Sequence, residues 1–148
     1  MSYDVNIQIV PEAQYTGMGF YSFGQTRSLA VRGLNKLVNM FAKFLLTPVG
    51  SDPLDSTYGT ILTNLIGTNL VLSDAREILD SAVDTTVSAI QGWQAGQSAI
   101  PDDERLASAT VTDYISIPSA PGFAAQILIT NVSGQQLQIV LPTLEVRQ

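Results

Sequence analysis

Two prolines and a glycine divide the first half of the chain into two apolar segments. The connector between them runs Leu45-Leu46-Thr47-Pro48-Val49-Gly50-Ser51-Asp52-Pro53-Leu54-Asp55, and Tyr58-Gly59 follow closely. Each proline fixes φ and removes a backbone donor, so a regular helix cannot continue through it. Gly50 permits a positive φ, while Asp52 or Asp55 can cap a following helix or turn. The sequence therefore predicts an ordered turn that holds two helical elements at one angle.

Hydrophobic spacing predicts helices around this connector. A helix is expected from about Ser28 to Leu46, because apolar residues recur there at intervals of three to five. After the connector, an apolar patch from Tyr58 to Ile66 predicts a shorter helix, which Gly67 ends. Ser73-Asp74 can cap a third helix, expected from Asp74 to about Trp93. Its apolar stripe comprises Ile78, Leu79, Ala82, Val83, Thr86, Val87 and Ile90.

The last third of the chain changes to a period of two, which is typical of strands. Residues 106–115 alternate and are rich in β-branched types. The apolar runs 123–130 and 136–144 flank a glycine-containing loop and predict a hairpin. Pro142 predicts that the last strand lies at a sheet edge.

These elements together predict an α+β fold, in which an N-terminal arm and helices precede a small antiparallel sheet that ends in a β-hairpin. Residues 1–27 are expected to form an extension or arm, with a short strand in which Val5, Ile7 and Ile9 alternate with polar residues. Residues 28–148 are expected to form the main domain. A length of 148 residues is sufficient for one domain with a continuous core.

Composition argues against several functional classes. The chain has no histidine and no cysteine, which removes the commonest general base and the commonest ligands of transition metals. A net charge of -6 with scattered basic residues disfavours nucleic-acid binding, and no apolar run is long enough to span a bilayer. Only 14% of residues are charged and mean hydropathy is +0.21, so much of the surface is expected to contact other protein. We expect no enzymatic activity, cofactor or metal.

Carboxylates provide the remaining route to chemistry. Asp102, Asp103 and Glu104 are adjacent and could bind a hard cation, but a solvated turn after Pro101 is the favoured interpretation. A cell-wall glycosidase that uses only carboxylates is the enzymatic alternative. Its candidate acids are Glu77, Asp80, Glu104 and Asp113.

The order of four features resembles the baseplate wedge and tail-sheath-initiator family of contractile phage tails, which has relatives in contractile bacteriocins and type VI secretion baseplates. A helix ends at Leu45-Leu46-Thr47-Pro48-Val49-Gly50, and the connector leads into Tyr58-Gly59-Thr60. A long helix ends at Trp93, and Glu104-Arg105-Leu106 opens a strand before a terminal hairpin. The resemblance covers residues 30–147. Family members commonly carry Glu-Pro-Arg after the tryptophan, whereas Trp93 is followed by Gln94-Ala95-Gly96.

The resemblance implies a structural protein of the virion, assembled in the host cytoplasm into the tail baseplate. Six copies would surround the tube, contact baseplate wedge proteins and tube or hub proteins, and template the first ring of tail sheath protein by strand pairing. The alternative is another small tail component, a wedge subunit or terminator, without sheath contact. Trp93 could anchor a neighbouring subunit or close the core of its own domain. The expected assembly interface comprises Pro48, Gly50, Asp52, Pro53, Tyr58, Gly59, Trp93, Ile127, Ile129, Leu137, Ile139 and Leu141.

Overall fold

A computed structural model of the chain describes residues 32–65, 72–116 and 123–144. These residues form two helices, α1 (Leu34–Leu46) and α2 (Leu72–Ala95), followed by three strands, β1 (Leu106–Ser116), β2 (Phe123–Asn131) and β3 (Gln136–Leu144). The predicted α+β class, with helices followed by a small antiparallel sheet and a terminal hairpin, is confirmed. The expected N-terminal arm, its strand and the boundary at residue 27 lie outside the described residues.

Helix α1 ends where the sequence predicts but begins later than expected. Residues 32 and 33 are described and are not helical, and the N-cap is Gly33. The helix ends at Leu46 because Thr47, which precedes Pro48, is extended. The Thr47 hydroxyl donates to the carbonyl oxygen of Lys43 at 2.5 Å and so satisfies one of the last helical acceptors. The predicted residues 28–31 lie outside the described part.

The helix expected from Tyr58 to Ile66 is wrong over its described portion. Only a 3-10 turn, Leu62–Leu65, forms there. The backbone of Thr60 is bonded to the connector instead, where it donates to the Thr47 carbonyl at 2.9 Å and accepts from the Val49 N–H at 2.9 Å. These two bonds hold the chain extended at Thr60, so a helix cannot include it. Gly67, the predicted helix end, lies outside the described residues.

Helix α2 extends two residues beyond the prediction at each end, and the predicted stripe faces the core. Leu79, Val83 and Ile90 are buried, and so is Thr86, whose hydroxyl donates to the Ala82 carbonyl at 2.8 Å. Among the described residues, neither helix combines the length and apolarity needed to cross a bilayer.

The three strands form one antiparallel sheet in the order β1-β2-β3. The second strand is central, and its alternating residues Ala125, Ile127, Ile129 and Asn131 are all buried. The register of β1 against β2 shifts between Leu106 and Ser108 and again between Val111 and Asp113, which marks irregularities in β1. These shifts interrupt the strict alternation that the sequence predicts for this strand.

One core joins the two helices to one face of the sheet. Its largest fully buried apolar side chains come from both layers: Phe41, Leu37, Leu45, Leu79, Ile127, Ile129 and Ile139. Burying an aliphatic or aromatic side chain of this size contributes about 1.5–3 kcal/mol. The hairpin is thereby held to the helices.

Candidate assembly surfaces

The free edge of β3 is the first candidate surface. The Asn131 N–H donates to the Gln135 carbonyl at 3.0 Å, so the backbone of Asn131 faces β3. Because backbone groups of successive strand residues point to opposite sides, Leu137 and Ile139 of β3 face β2, while Gln138 and its alternate neighbours face away. Among the described residues no strand pairs with β3 on that side. The outward residues are Gln136, Gln138 and Val140.

The apolar side chains predicted on this hairpin lie in the core. Ile127, Ile129, Ile139 and Leu141 are buried, and Leu137 is partly buried against the same cluster. Their side chains therefore hold the hairpin in its own domain, which leaves backbone groups as the means of contact at the free edge. On the opposite face of the sheet, the Gln138 amide donates to the Gln126 side-chain oxygen.

The connector forms a compact second surface. A parallel bridge joins Pro48 to Thr60, and the Thr60 hydroxyl donates to the Leu45 carbonyl at 2.7 Å. Gly59 has a φ of 103° and lies directly under Thr47, where a Cβ atom would overlap the Thr47 carbonyl oxygen. Only glycine fits this position without displacing backbone. The structure therefore brings together Pro48 and Gly59, which are predicted site residues.

Both connector aspartates stabilise turns instead of capping a helix. Asp52 Oδ1 accepts the N–H of Leu54 at 2.8 Å, and Asp55 Oδ1 accepts the N–H and hydroxyl of Thr57 at 2.9 and 2.6 Å. The side-chain and backbone hydrogen bonds from Thr57 lower the pKa of Asp55. Pro53 is exposed between these turns. Gly50 has the expected positive φ, 82°.

Apolar side chains around the connector are exposed to solvent. Tyr58 is partly buried, with its ring edge-on to Phe44 at a centroid distance of 4.7 Å. The exposed apolar residues of this segment are Leu46, Val49, Leu54 and Ile61. The bridge that pairs Pro48 with Thr60 brings the chain at Val49 next to the chain at Ile61. Contiguous exposed apolar patches are typical of surfaces that contact protein, and the chain at Val49 and Ile61 is the candidate for such a patch here.

Trp93, near the C-terminal end of α2, is 55% exposed. The indole therefore does not close the core, which was one of the two expectations for it. An exposed tryptophan on a rigid helix suits an anchor for a neighbouring subunit, and this role stays a prediction.

Glu104 binds α1 across a large separation in sequence. Its carboxylate accepts the Gly33 N–H at 3.2 Å and pairs with Lys36 Nζ at 2.7 Å, so it caps a helix whose own first turn has no acidic residue. Burial raises its pKa, but the Lys36 and Gly33 hydrogen bonds and the charges of Lys36 and Arg32 outweigh burial and leave the pKa below its ordinary value. The expected solvated turn is therefore wrong for Glu104, whose side chain is 13% exposed.

Two of the other candidate acids bind Tyr114. Asp80 Oδ1 accepts the Tyr114 hydroxyl at 2.6 Å, and Asp113 Oδ1 accepts the Tyr114 N–H at 2.8 Å. Burial and Asp80 raise the pKa of the Tyr114 phenol, whose ring also lies 4.8 Å from the Arg76 guanidinium. Glu77 is exposed on α2. Within the described ranges, no group of three acidic residues is placed to hold a metal ion.

Three side-chain amides that bind backbone groups were not predicted from the sequence. Gln94 is 3% exposed, and its side-chain amide donates to the Glu104 carbonyl and accepts from the Leu106 N–H at the start of β1. Gln91, one turn earlier on α2, donates to the Ala107 carbonyl. Asn131 is 1% exposed and joins the hairpin loop to the Asp103 carbonyl. Gln94 lies four residues after Ile90, on the apolar stripe of α2. A polar residue at such a position is the sequence feature that could have indicated a buried amide.

The predicted interface residues thus lie on three parts of the fold: the connector, the end of α2 and the hairpin. Among the described residues, the connector has exposed side chains and the β3 edge has no neighbouring strand, whereas the hairpin's apolar side chains are buried or partly buried. No protein-family model matches the chain, and no curated protein sequence matches it.

Proposed function

We propose that the chain is a structural, non-enzymatic protein of a contractile-tail baseplate, which links the wedge to the tail sheath and templates the first sheath ring. The outer edge of β3, with which no strand of the described residues pairs, carries this proposal. Its outward groups belong to Gln136, Gln138 and Val140. The resemblance of the connector, the long helix and the terminal hairpin to the sheath-initiator family supplies the identity of the partners.

Strand addition at β3 is chemically simple. A strand of sheath protein would hydrogen-bond to the outward N–H and C=O groups, and this backbone pairing depends little on side-chain identity. Beyond Val140, Pro142 lacks an N–H and cannot donate to a partner. The pairing would therefore be centred on residues 136–140. The core contacts of Ile127 and Ile139 hold the template in place, because they fix the hairpin to α1 and α2.

The wedge contact is assigned to the connector and Trp93. Leu46, Val49 and Ile61 offer aliphatic surface beside a backbone that the hydrogen bonds of Thr60 to Thr47 and Val49 hold in place. Trp93 offers a large exposed ring on α2. In this proposal six copies surround the tube, each held by the wedge and in contact with tube or hub proteins, and the β3 edges point to the sheath. The chain would then reside in the virion, after assembly in the host cytoplasm.

The test is whether β3 seeds polymerisation of the sheath protein from the same tail. Gln138→Pro removes an outward N–H while leaving the bonds between β2 and β3, and proline is tolerated on edge strands. Gln138→Thr is the matched control, because it also replaces the side chain but keeps the N–H. We expect wild type and Gln138→Thr to shorten the polymerisation lag measured by light scattering, and Gln138→Pro to lose this effect.

Circular dichroism must first show that both variants are folded. A folded Gln138→Pro chain that seeds as well as wild type, or a wild-type chain that leaves the lag unchanged, would contradict the sheath role. The chain would then be assigned the alternative function, that of a small tail component without sheath contact.

A further inference from the structure

We infer that the sheet accepts a partner strand at β3 only, because side chains of α2 and Asp113 already occupy outward backbone groups at both ends of β1. The first and third strands are both edges of the described sheet, yet their outward backbone groups differ in what binds them. The inference rests on the proposed function for the identity of the partner strand, whereas the closure of β1 stands on the hydrogen bonds described below.

The outward groups of β1 follow from its register. Leu106, Ala109, Val111 and Tyr114 lie opposite Asn131, Ile129, Ile127 and Ala125, which face β3. In an antiparallel pair, residues opposite one another alternate between exchanging backbone bonds and exchanging none. These four β1 residues therefore direct their backbone groups away from β2, to the edge that a fourth strand would occupy.

Gln94 imitates a strand at the beginning of β1. Its amide oxygen accepts the Leu106 N–H at 2.8 Å, and its amide nitrogen donates to the Glu104 carbonyl at 2.9 Å. One side-chain amide thus makes the pair of bonds that the backbone of a neighbouring strand would make. Because Gln94 is buried, an incoming strand would have to displace a packed side chain.

Gln91 extends this closure by one residue. Its amide nitrogen donates to the Ala107 carbonyl at 2.9 Å and lies 3.4 Å from the Leu106 carbonyl. Gln91 and Gln94 lie three residues apart on α2, so they project from one side of the helix. The last turn of α2 therefore lies along the start of the β1 edge.

The other end of β1 is closed by the side chain of Asp113, and α2 holds the side chain of Tyr114 there. The outward N–H of Tyr114 is bound by Asp113 Oδ1, and the Tyr114 hydroxyl is bound by Asp80 of α2. Between the two closed ends, Ala109 and Val111 direct backbone groups outward, but the register shift between Val111 and Asp113 disturbs the spacing that a regular partner strand requires. Side-chain protection and bulges are devices by which proteins prevent pairing at sheet edges.

The consequence is a one-directional template. With both edges open, the β3 edge of one copy could pair with the β1 edge of the next, and such a head-to-tail contact can propagate without limit. With β1 closed at both ends and irregular between them, the sheet is suited to receive a strand at β3 and unsuited to extend through a second copy of this chain. The chain is therefore suited to begin a series of strand additions and unsuited to continue one.

Opening the β1 edge tests the inference without any sheath protein. The double variant Gln91→Ala/Asp113→Ala removes two exposed side chains that bind backbone groups of β1 and leaves the buried Gln94 at Leu106, so the edge opens from Ala107 to Tyr114. By sedimentation velocity, we expect its weight-average mass to rise with concentration to at least about twice the wild-type value, through the newly available edge. Adding Gln138→Pro, which removes a donor at β3, should return the mass to the wild-type value.

Gln97→Ala/Asp84→Ala is the matched control, since it makes the same two changes in residue type outside these hydrogen bonds. The inference fails if the folded double variant sediments as wild type, if its growth survives Gln138→Pro, or if the control grows equally. If the double variant does not fold, hydrogen exchange of backbone amides in the wild-type chain tests the closure of β1. The amides of Leu106 and Tyr114 should exchange slowly, and those of Gln138 and Val140 quickly. Equal rates at the two edges would overturn the closure but leave sheath seeding untouched.

Discussion

Substitution of Gly59 by alanine should destabilise the protein far more than substitution of Gly50. Both glycines have positive φ, 103° and 82°. A Cβ atom at Gly50 would have no heavy atom within 4 Å, whereas one at Gly59 would overlap the Thr47 carbonyl oxygen and lie 3.0 Å from its carbon. The two variants therefore share the cost of the left-handed backbone and differ in the clash.

The magnitude follows from what the clash displaces. A non-glycine residue with positive φ costs about 1–2 kcal/mol at either position. At Gly59 the displaced backbone of Thr47 also weakens the bridge to Thr60, in which two backbone hydrogen bonds and the Thr60 hydroxyl bond contribute about 1 kcal/mol each. The expected losses in unfolding free energy are therefore about 1–2 kcal/mol for Gly50→Ala and about 3–5 kcal/mol for Gly59→Ala.

Urea unfolding monitored by far-ultraviolet circular dichroism measures this difference. The entropy that alanine removes from the unfolded chain is the same in both variants and cancels in the comparison. The midpoint should fall in both, with the larger fall in Gly59→Ala and an unchanged slope against urea. Equal losses would show that the connector yields at Thr47 and is not rigid.

Three further substitutions test the other parts of the account. Glu104→Gln should cost about 1 kcal/mol at pH 7, because it removes the charge at the α1 N-terminus, while the half-exposed Lys36 contributes little to the pair. Since folding lowers the pKa of Glu104, its contribution is present at neutral pH and lost as pH falls through the folded pKa, so the gap in urea midpoints between the two chains should close on acidification. Asn131→Ala should cost about 2–3 kcal/mol by the same assay, because it removes a buried side chain and leaves two partly buried backbone groups unpaired, whereas Ser133→Ala in the exposed loop should cost less than about 0.5 kcal/mol. Trp93→Ala should leave a folded chain, within about 1 kcal/mol of wild type, that is not incorporated into baseplates. An incorporated Trp93→Ala chain would exclude the anchor role.

The strands were predictable because one face of the sheet is buried. Ile127, Ile129 and Ile139 repeat with the period of a strand and pack on the helices, so pattern and burial agree. The end of α1 was predictable for a local reason, since Pro48 fixes the conformation of Thr47.

The start of α1 and the edge of β1 were not predictable, because distant residues determine them. Glu104 caps α1 although it lies 71 residues after Gly33, and no local sequence pattern predicts this contact. Gln94 likewise acts on β1 across a turn, 12 residues before Leu106. Sequence periodicity predicts which face a residue occupies but not which backbone group its side chain binds, and the candidate surfaces depend on the latter.

An electron-microscopy map of the native tail at side-chain resolution tests the central claim most directly. It should show a strand of sheath protein hydrogen-bonded to Gln136, Gln138 and Val140, with Gln94 still in place at the β1 edge. A β3 edge covered by residues of its own chain, or one that contacts no sheath protein in the assembled baseplate, would contradict the account.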